Sequence, residues 1–278
     1  HMPSRRQRQM CIRDRGGAIG VIEESNSSKF NVGDYVMSNF GWREYFVSDD
    51  NSLNVINPEF GPLQAYLGTL GMPGLTAYAG LLEVGKLKDG ENVLVSAAAG
   101  AVGSIVCQIA LAKGCKVYGT SGTDEKCLWL EKEIGIEKAF NYKKIDNLIS
   151  EYRSEIKGGI DVYFDNVGGT HLEAGINILN TGGRIALCGM IDQYNDPNIK
   201  NGPSNLIMLI MKNASIEGFI VSKYNHLQEK FLEDMKNWSN SGKLIWKETI
   251  LEGIDLAPKA FINLFSGKNI GKMLVKIH

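Results

Sequence analysis

The run Ala98-Ala-Gly-Ala-Val-Gly103 places small residues at the spacing A-x-G-x-x-G, between an apolar stretch and a helical one. A turn of this kind brings backbone N–H groups to a polyanion. Gly100 lets the chain approach a pyrophosphate, with Ala101 and Val102 carrying the bend, and Gly103 lets the next helix pack on the preceding strand. That helix adds its free amides and positive dipole end. Small-residue turns are common, so the pattern counts only in a strand-turn-helix setting, and here it has one. A tight packing turn with no ligand is the competing reading. About twenty residues on, an acidic residue would hold a ribose 2′-hydroxyl. This chain has Gly119-Thr-Ser-Gly-Thr123 instead, then Asp124-Glu-Lys126. Hydroxyls plus the Lys126 ammonium suit a 2′-phosphate, which points to NADP(H) rather than NAD(H). A solvated helix lysine is the plainer reading of Lys126 alone. Asp124 reads as a helix N-cap.

These residues need a frame. Asn92–Ala97 is a short apolar run suited to a strand buried on both faces. Val102, Ile105, Val106, Ile109 and Ala110 recur at helical spacing, Gly114 ends that helix, and Lys116–Thr120 is the next strand. Helical patterns follow at 124–134, 145–157, 170–180, 203–213 and 225–241, and strand patterns at 138–142, 160–165, 184–188 and 215–221. Alternation of this kind predicts right-handed βαβ crossovers and an α/β fold: a doubly wound, six-stranded parallel Rossmann sheet. Before it, residues 17–47 alternate apolar and polar, with strands expected at Ala18–Ile22, Tyr35–Met37 and Trp42–Val47 and a turn at Asn31–Asp34. After Gly242 come a strand (Trp246–Leu251), a helix (Ala257–Phe265) and a strand (Lys272–Ile277), expected to rejoin the opening β segment. The domains are therefore expected at 16–70, 71–241 and 242–278, the last returning to the first.

The totals fit a cytoplasmic enzyme. The chain has 278 residues and a net charge of -1, so neither a nucleic acid nor an anionic membrane is an expected partner. No apolar run reaches the ~18 residues that span a bilayer, and no signal-peptide pattern opens the chain. The cysteines (Cys11, Cys107, Cys115, Cys127, Cys188) are scattered and read as reduced thiols, with no structural zinc expected. Five of the eight arginines fall in residues 1–15, which read as a non-native extension. Gly80–Lys86 nearly matches a P-loop, but Leu87 follows the lysine and the segment precedes a strand. No G-x-S-x-G or H-E-x-x-H occurs, and the histidines form no metal or triad spacing. His171 and His226 read as surface helix residues.

Five motifs appear in order: Gly71-Met-Pro-Gly-Leu-Thr-Ala-Tyr78, the Ala98–Gly103 turn, Phe164-Asp-Asn-Val-Gly-Gly169, Cys188-Gly189 with Tyr194-Asn195, and Lys268-Asn-Ile-Gly-Lys272. The set resembles the zinc-independent medium-chain dehydrogenase/reductases, in their prostaglandin reductase or leukotriene B4 12-hydroxydehydrogenase branch. Bacterial members of that branch are NADPH-dependent alkenal, enone and curcumin reductases. The resemblance covers about residues 16–278. It implies a GroES-like β catalytic domain contributed by both chain ends around the Rossmann domain. In this family the catalytic domain begins well before the segment matching Gly17. Front strands and part of the substrate pocket are therefore expected to be missing here, with impaired folding or activity.

The resemblance also assigns roles. Gly100–Gly103 would hold the pyrophosphate, and Lys126 and Tyr142 the 2′-phosphate. Asn166 would contact the ribose-nicotinamide half. Cys188, Gly189, Met190 and onward to Tyr194 would follow the cofactor. Phe219, Ile220 and Val221 would offer backbone groups to the carboxamide, and Asn269 would reach in from the C-terminal segment. Independently, Asn166, Gly189 and Val221 fall at carboxyl ends of expected parallel strands, where open α/β sheets bind ligands. The implied reaction is reduction of an α,β-unsaturated aldehyde or ketone: hydride to the β-carbon, donors for the enolate oxygen, a proton to the α-carbon. Tyr194 is the first candidate catalytic residue, as proton donor or as a holder of the nicotinamide ribose. Quinone reduction, and a truncated non-catalytic NADPH-binding role, are the rival readings. Members often dimerise through the sheet edge near the sixth strand, here 215–221, so a homodimer is among the implied assemblies.

Overall fold

The computed structural model describes residues 16–194 and 201–277. The arginine-rich stretch, Cys11, Asn195, His1 and His278 lie outside the described residues. The chain divides into two units, one built from the segment ending at Gly71 together with the segment starting at Glu248, the other from Met72–Lys247.

The first unit opens with an antiparallel sheet of β1 (Ala18–Val21), β2 (Tyr35–Ser38) and β3 (Asn54–Val55) in that order. The Asn31–Asp34 turn forms as expected: the Asp34 N–H donates to the Asn31 carbonyl at 3.1 Å, and the Asn31 N–H to the Asp34 carboxylate at 2.8 Å. The strand expected over Trp42–Val47 does not form. Trp42 takes a left-handed conformation (φ 65°), which breaks an extended run despite its alternating pattern.

The second unit begins with α1 (Met72–Ala79), which runs into a wider turn of helix at Gly80–Val84; the rejected P-loop match is thus a helix end. Then come β4 (Asn92–Val95), α2 (Gly103–Ala112), β5 (Lys116–Ser121), α3 (Asp124–Trp129), β6 (Lys138–Asn141) and α4 (Leu148–Glu155). The second half adds β7 (Ile160–Asp165), α5 (Gly169–Ile178), β8 (Leu179–Leu187), α6 (Ile207–Met211), β9 (Ser215–Gly218) and α7 (Gln228–Asn240). The six strands pair in parallel in the order β6-β5-β4-β7-β8-β9, the Rossmann arrangement expected. Chain direction across the sheet reverses between β4 and β7, so a ligand crevice belongs outside their carboxyl ends.

Apolar residues account for the element choices. Val93, Leu94 and Val95 are buried on both faces of β4, and Ile105, Val106, Ile109 and Ala110 form the buried stripe of α2. One core cluster packs Leu94, Phe140, Tyr152, Ile160, Tyr163 and Ile185 together. Each such side chain contributes about 1.5–3 kcal/mol by leaving water. Several boundaries moved by a few residues, two of them for a visible reason. β8 starts at Leu179, because its first residue pairs with Ile160 before a register shift. The helix expected over 203–213 is confined to α6.

The C-terminal segment of the first unit contains β10 (Glu248–Glu252), α8 (Ala257–Phe265) and β11 (Lys272–Lys276). The two strands pair in parallel with the helix as their crossover.

Candidate functional site

The phosphate turn follows β4 directly. The Ala98 N–H donates to the Thr120 carbonyl (2.9 Å), which ties the turn to the end of β5, and the Gly100 N–H donates to the Ala97 carbonyl (2.9 Å). A Cβ on Gly103 would run into the Ala97 carbonyl oxygen, so only glycine lets α2 start this close to the strand. Ala97 itself is left-handed, with φ 48°. No hydrogen bond from the N–H groups of Ala101, Val102 or Gly103 is found among the described residues. Three successive amides without a partner among the described residues, at a helix start, fit a pyrophosphate.

The adenosine side is built on β5 and β6. The Lys126 backbone N–H donates to the Thr123 hydroxyl (3.3 Å), so Thr123, not Asp124, is the N-cap of α3. Asp124 turns its carboxylate to Lys144 and accepts from Asn141 Nδ2 at 2.7 Å; these contacts lower its pKa, the Lys144 bond foremost. That occupies Asp124, while the neighbouring Glu125 acts on Lys126. Lys126 is half-buried, and its pKa is lowered first by burial and then by the charge of Lys143. Lys143 is a residue that sequence reasoning missed. It sits in a polar run, Tyr142-Lys-Lys144, that reads as ordinary solvated surface. The Gly122 α-carbon lies beside both the Tyr142 hydroxyl and Lys143 Cε: a Cβ there would come within 3.2 and 3.3 Å of them. Two ammonium groups, a phenol and a glycine thus share one rim.

Beneath that rim lies His171, which is buried at 5% exposure rather than on the surface. The first turn of α5 covers the sheet here and carries the ring inward. Its Nδ1 is 3.5 Å from the Thr120 hydroxyl, and Tyr142 stands edge-on to it with centroids 4.9 Å apart. Burial lowers its pKa, against the smaller opposing pull of Asp165 and Asp192, so the ring is neutral at neutral pH. His226 is exposed, as expected.

At the carboxyl end of β7 the fully buried Asp165 accepts at Oδ1 from Ser96 Oγ (2.7 Å), Tyr163 Oη (2.7 Å) and the Val167 N–H (3.0 Å). Its Oδ2 takes the Gly168 N–H at 3.0 Å. Asn166 donates its backbone N–H to Ser96 Oγ (2.8 Å) and its side-chain Nδ2 to the Ser96 carbonyl (2.7 Å). Ser96 and Asp165 were not singled out in the sequence, since a serine closing an apolar run carries no signal of its own.

Past β8, the Cys188 and Gly189 N–H groups donate to the Asp165 carbonyl at 2.8 and 3.1 Å, which brings this loop alongside Asn166. Burial pushes the Cys188 thiol up to about 12. The loop returns at Tyr194, whose phenol oxygen accepts the Met190 N–H at 3.2 Å and lies over Gly189. Phe219 packs edge-on to Phe164 (6.2 Å), while Ile220 is exposed and Val221 starts the next helical turn. These elements all stand on the carboxyl side of the sheet. Asn269 belongs to the other unit, is buried there, and donates its Nδ2 to the Gly271 carbonyl at 2.8 Å. Among the described residues no group of three His, Cys, Asp or Glu could hold a metal ion.

Comparison with known proteins agrees with this geometry. A family described as zinc-binding dehydrogenase matches residues 101–237, and one described as the N-terminal domain of oxidoreductase matches residues 10–56. The chain is 45% identical to prostaglandin reductase 1 of Rattus norvegicus over 94% of its own length and 80% of the relative's. It is 43% identical to the NADP(+)-dependent 2-alkenal reductase of Nicotiana tabacum, over 94% and 76%. Among solved structures, CurA from Vibrio vulnificus in complex with NADPH superposes with a TM-score of 0.87 at 39% identity, covering 95% of this chain and 80% of that one.

Proposed function

Because the chain belongs to the zinc-independent prostaglandin reductase branch of the medium-chain dehydrogenase/reductases, we infer that it uses NADPH to reduce the C=C bond of α,β-unsaturated aldehydes and ketones. The observation that carries the reading is the rim shared by Lys126, Tyr142 and Lys143, a short step from the unpaired amides of Ala101–Gly103. It fits a nucleotide with both a pyrophosphate and a 2′-phosphate.

When bound, the dinucleotide supplies the hydride for the β-carbon. The chain's own residues orient and stabilise. The turn amides would hold the pyrophosphate and the two lysines with Tyr142 the 2′-phosphate. Asn166 would take the nicotinamide ribose, Cys188–Tyr194 would flank it, and the Phe219–Val221 backbone would meet the carboxamide. As hydride arrives, charge gathers on the substrate carbonyl oxygen, and a donor there lowers the barrier. Tyr194 is the candidate: its oxygen already accepts from Met190, which leaves its O–H proton to donate. No helix among the described residues is long and apolar enough to cross a membrane.

We further infer a homodimer. Among the described residues strand β9 pairs only with β8 and ends the sheet, exposed along its length, and Ile207, Ile210, Met211, Ile216 and Ile220 lie exposed on and around it. An open apolar edge is a pairing template, and a second copy would cover it symmetrically.

The test of function is NADPH consumption followed at 340 nm with a panel of enals, enones and quinones. Turnover of enals and enones above quinones is expected. Preferential quinone turnover, or NADPH binding with no consumption, would replace the reading.

A further inference from the structure

Strands β4 and β7 lie side by side at the point where the sheet reverses, and their first residues beyond pairing are bonded to each other. The Ser96 backbone N–H donates to the Phe164 carbonyl at 3.1 Å. Its hydroxyl does two things at once: it donates to Asp165 Oδ1 (2.7 Å) and accepts the Asn166 N–H (2.8 Å). Its carbonyl accepts Asn166 Nδ2 at 2.7 Å. Asn166 is therefore held through both its backbone and its side chain by one residue.

That arrangement fixes which face of the amide is offered outward. Two oxygens cannot hydrogen-bond to each other, so Nδ2 must be the atom facing the Ser96 carbonyl. Oδ1 is left as an acceptor, and no hydrogen bond to it is found among the described residues. Asn166 is only half-buried, at the carboxyl end of β7. A group waiting there is met by a hydroxyl donor, and the ribose of the nicotinamide half carries two.

We propose that Ser96 is a positioning residue for the nicotinamide half of the cofactor, acting through Asn166 while Asp165 anchors the serine hydroxyl. The proposal rests on the reading of this site as an NADPH site. Ser96 is buried at 1% exposure, whereas Asn166 is half-buried. Its hydroxyl hydrogen is committed to Asp165, so its lone pair points at the Asn166 N–H. The Val167 and Gly168 amides hold Asp165 in turn.

Tyr163 supplies the control. It is a second buried hydroxyl on the same carboxylate oxygen at the same 2.7 Å and also meets the Ser96 side chain, but no bond from it reaches Asn166. Calorimetry on wild type, Ser96→Ala and Tyr163→Phe would measure NADPH and adenosine 2′,5′-bisphosphate, which lacks the nicotinamide ribose. Melting temperatures of each would accompany the titrations. Ser96→Ala is expected to weaken NADPH about tenfold while leaving the bisphosphate within about twofold. Tyr163→Phe is expected to leave the ratio of the two affinities at the wild-type value, whatever it costs in melting temperature. Equal weakening of both ligands in Ser96→Ala, or the same altered ratio in Tyr163→Phe, would overturn the proposal. So would an unchanged ratio in Ser96→Ala. If Ser96→Ala folds poorly, Ser96→Cys keeps the volume, gives up most of the hydrogen-bonding strength, and is held to the same outcomes. Wild-type protein that binds neither ligand would instead overturn the NADPH reading beneath it.

Discussion

The charge of Lys143 lowers the pKa of Lys126, second only to Lys126's own burial. Neither lysine has an ion-pair partner among the described residues, whereas neighbouring Lys144 is paired with Asp124. Two like charges held close at a rim are relieved by a dianion. Lys126→Met and Lys143→Met are each expected to weaken NADPH about ten- to a hundredfold while NADH is little changed. Titration of both dinucleotides checks it.

A pH dependence follows from the same pair. A lowered pKa means that the free protein releases the Lys126 proton at a lower pH than an ordinary lysine does. The 2′-phosphate binds the protonated form and pulls that pKa back up. Affinity for NADPH is therefore expected to fall as pH rises through the lowered pKa, with proton uptake on binding, while NADH affinity stays flat. Calorimetry in buffers of differing ionisation enthalpy reads the proton directly.

Tyr194→Phe keeps the ring and removes the donor. Turnover of an enone is expected to drop by about a hundredfold, the lower range for a positioned acid, with NADPH affinity nearly retained. Unchanged turnover would take Tyr194 out of the mechanism.

At the phosphate turn, two substitutions should act in opposite senses. Gly103→Ala drives a methyl into the Ala97 carbonyl, and is expected to cost about 3 kcal/mol of stability or abolish NADPH binding. Ala97→Gly releases a left-handed alanine and is expected to be neutral or to stabilise by up to about 1 kcal/mol. Thermal melts with and without NADPH separate the two.

Much of this was legible in the residues. Helix Ala257–Phe265 has the limits its apolar spacing predicts, and strand Ile160–Asp165 likewise. The glycine turn announced itself because backbone approach and tight packing both restrict residue type. What stayed hidden depends on tertiary context. The Trp42–Val47 alternation is genuine, but one left-handed residue cancels it. His171 has polar Thr170 and Glu173 close by in the sequence, and only the seating of α5 on the sheet buries it. Asp124 and Thr123 are both good N-caps, and the Lys144 contact decided between them. Lys143 and Ser96 look ordinary until β5, β6 and β7 bring them to their partners.

The dimer inference makes a plain prediction. Ile216→Lys and Ile220→Lys put charge on the exposed sheet edge, where each is free of the monomer's core. Both are expected to shift the protein from dimer to monomer in sedimentation or gel filtration, with the monomer's melting behaviour intact. A wild type that is already monomeric at high concentration would end the inference.

Far from the cofactor rim, Arg184 bonds Glu91 at 2.6 Å with both side chains about 15% exposed, and its guanidinium also reaches the Gly85 and Lys86 carbonyls at 2.9 and 2.8 Å. Arg184→Met takes a donor away from Glu91 and from the Gly85, Lys86 and Asp161 carbonyls. A loss of about 2–3 kcal/mol, or roughly 5–10 °C in melting temperature, is expected, with NADPH affinity unaltered.

That clamp joins Glu91, ahead of β4, to Arg184, while Ser96 and the outward-facing Asn166 follow the far ends of β4 and β7. Robustness and chemistry thus occupy opposite margins of one sheet, separated by the length of its strands. Work on one margin hardens this protein against heat, and work on the other retunes its hold on the nicotinamide half, with little cross-talk between the two.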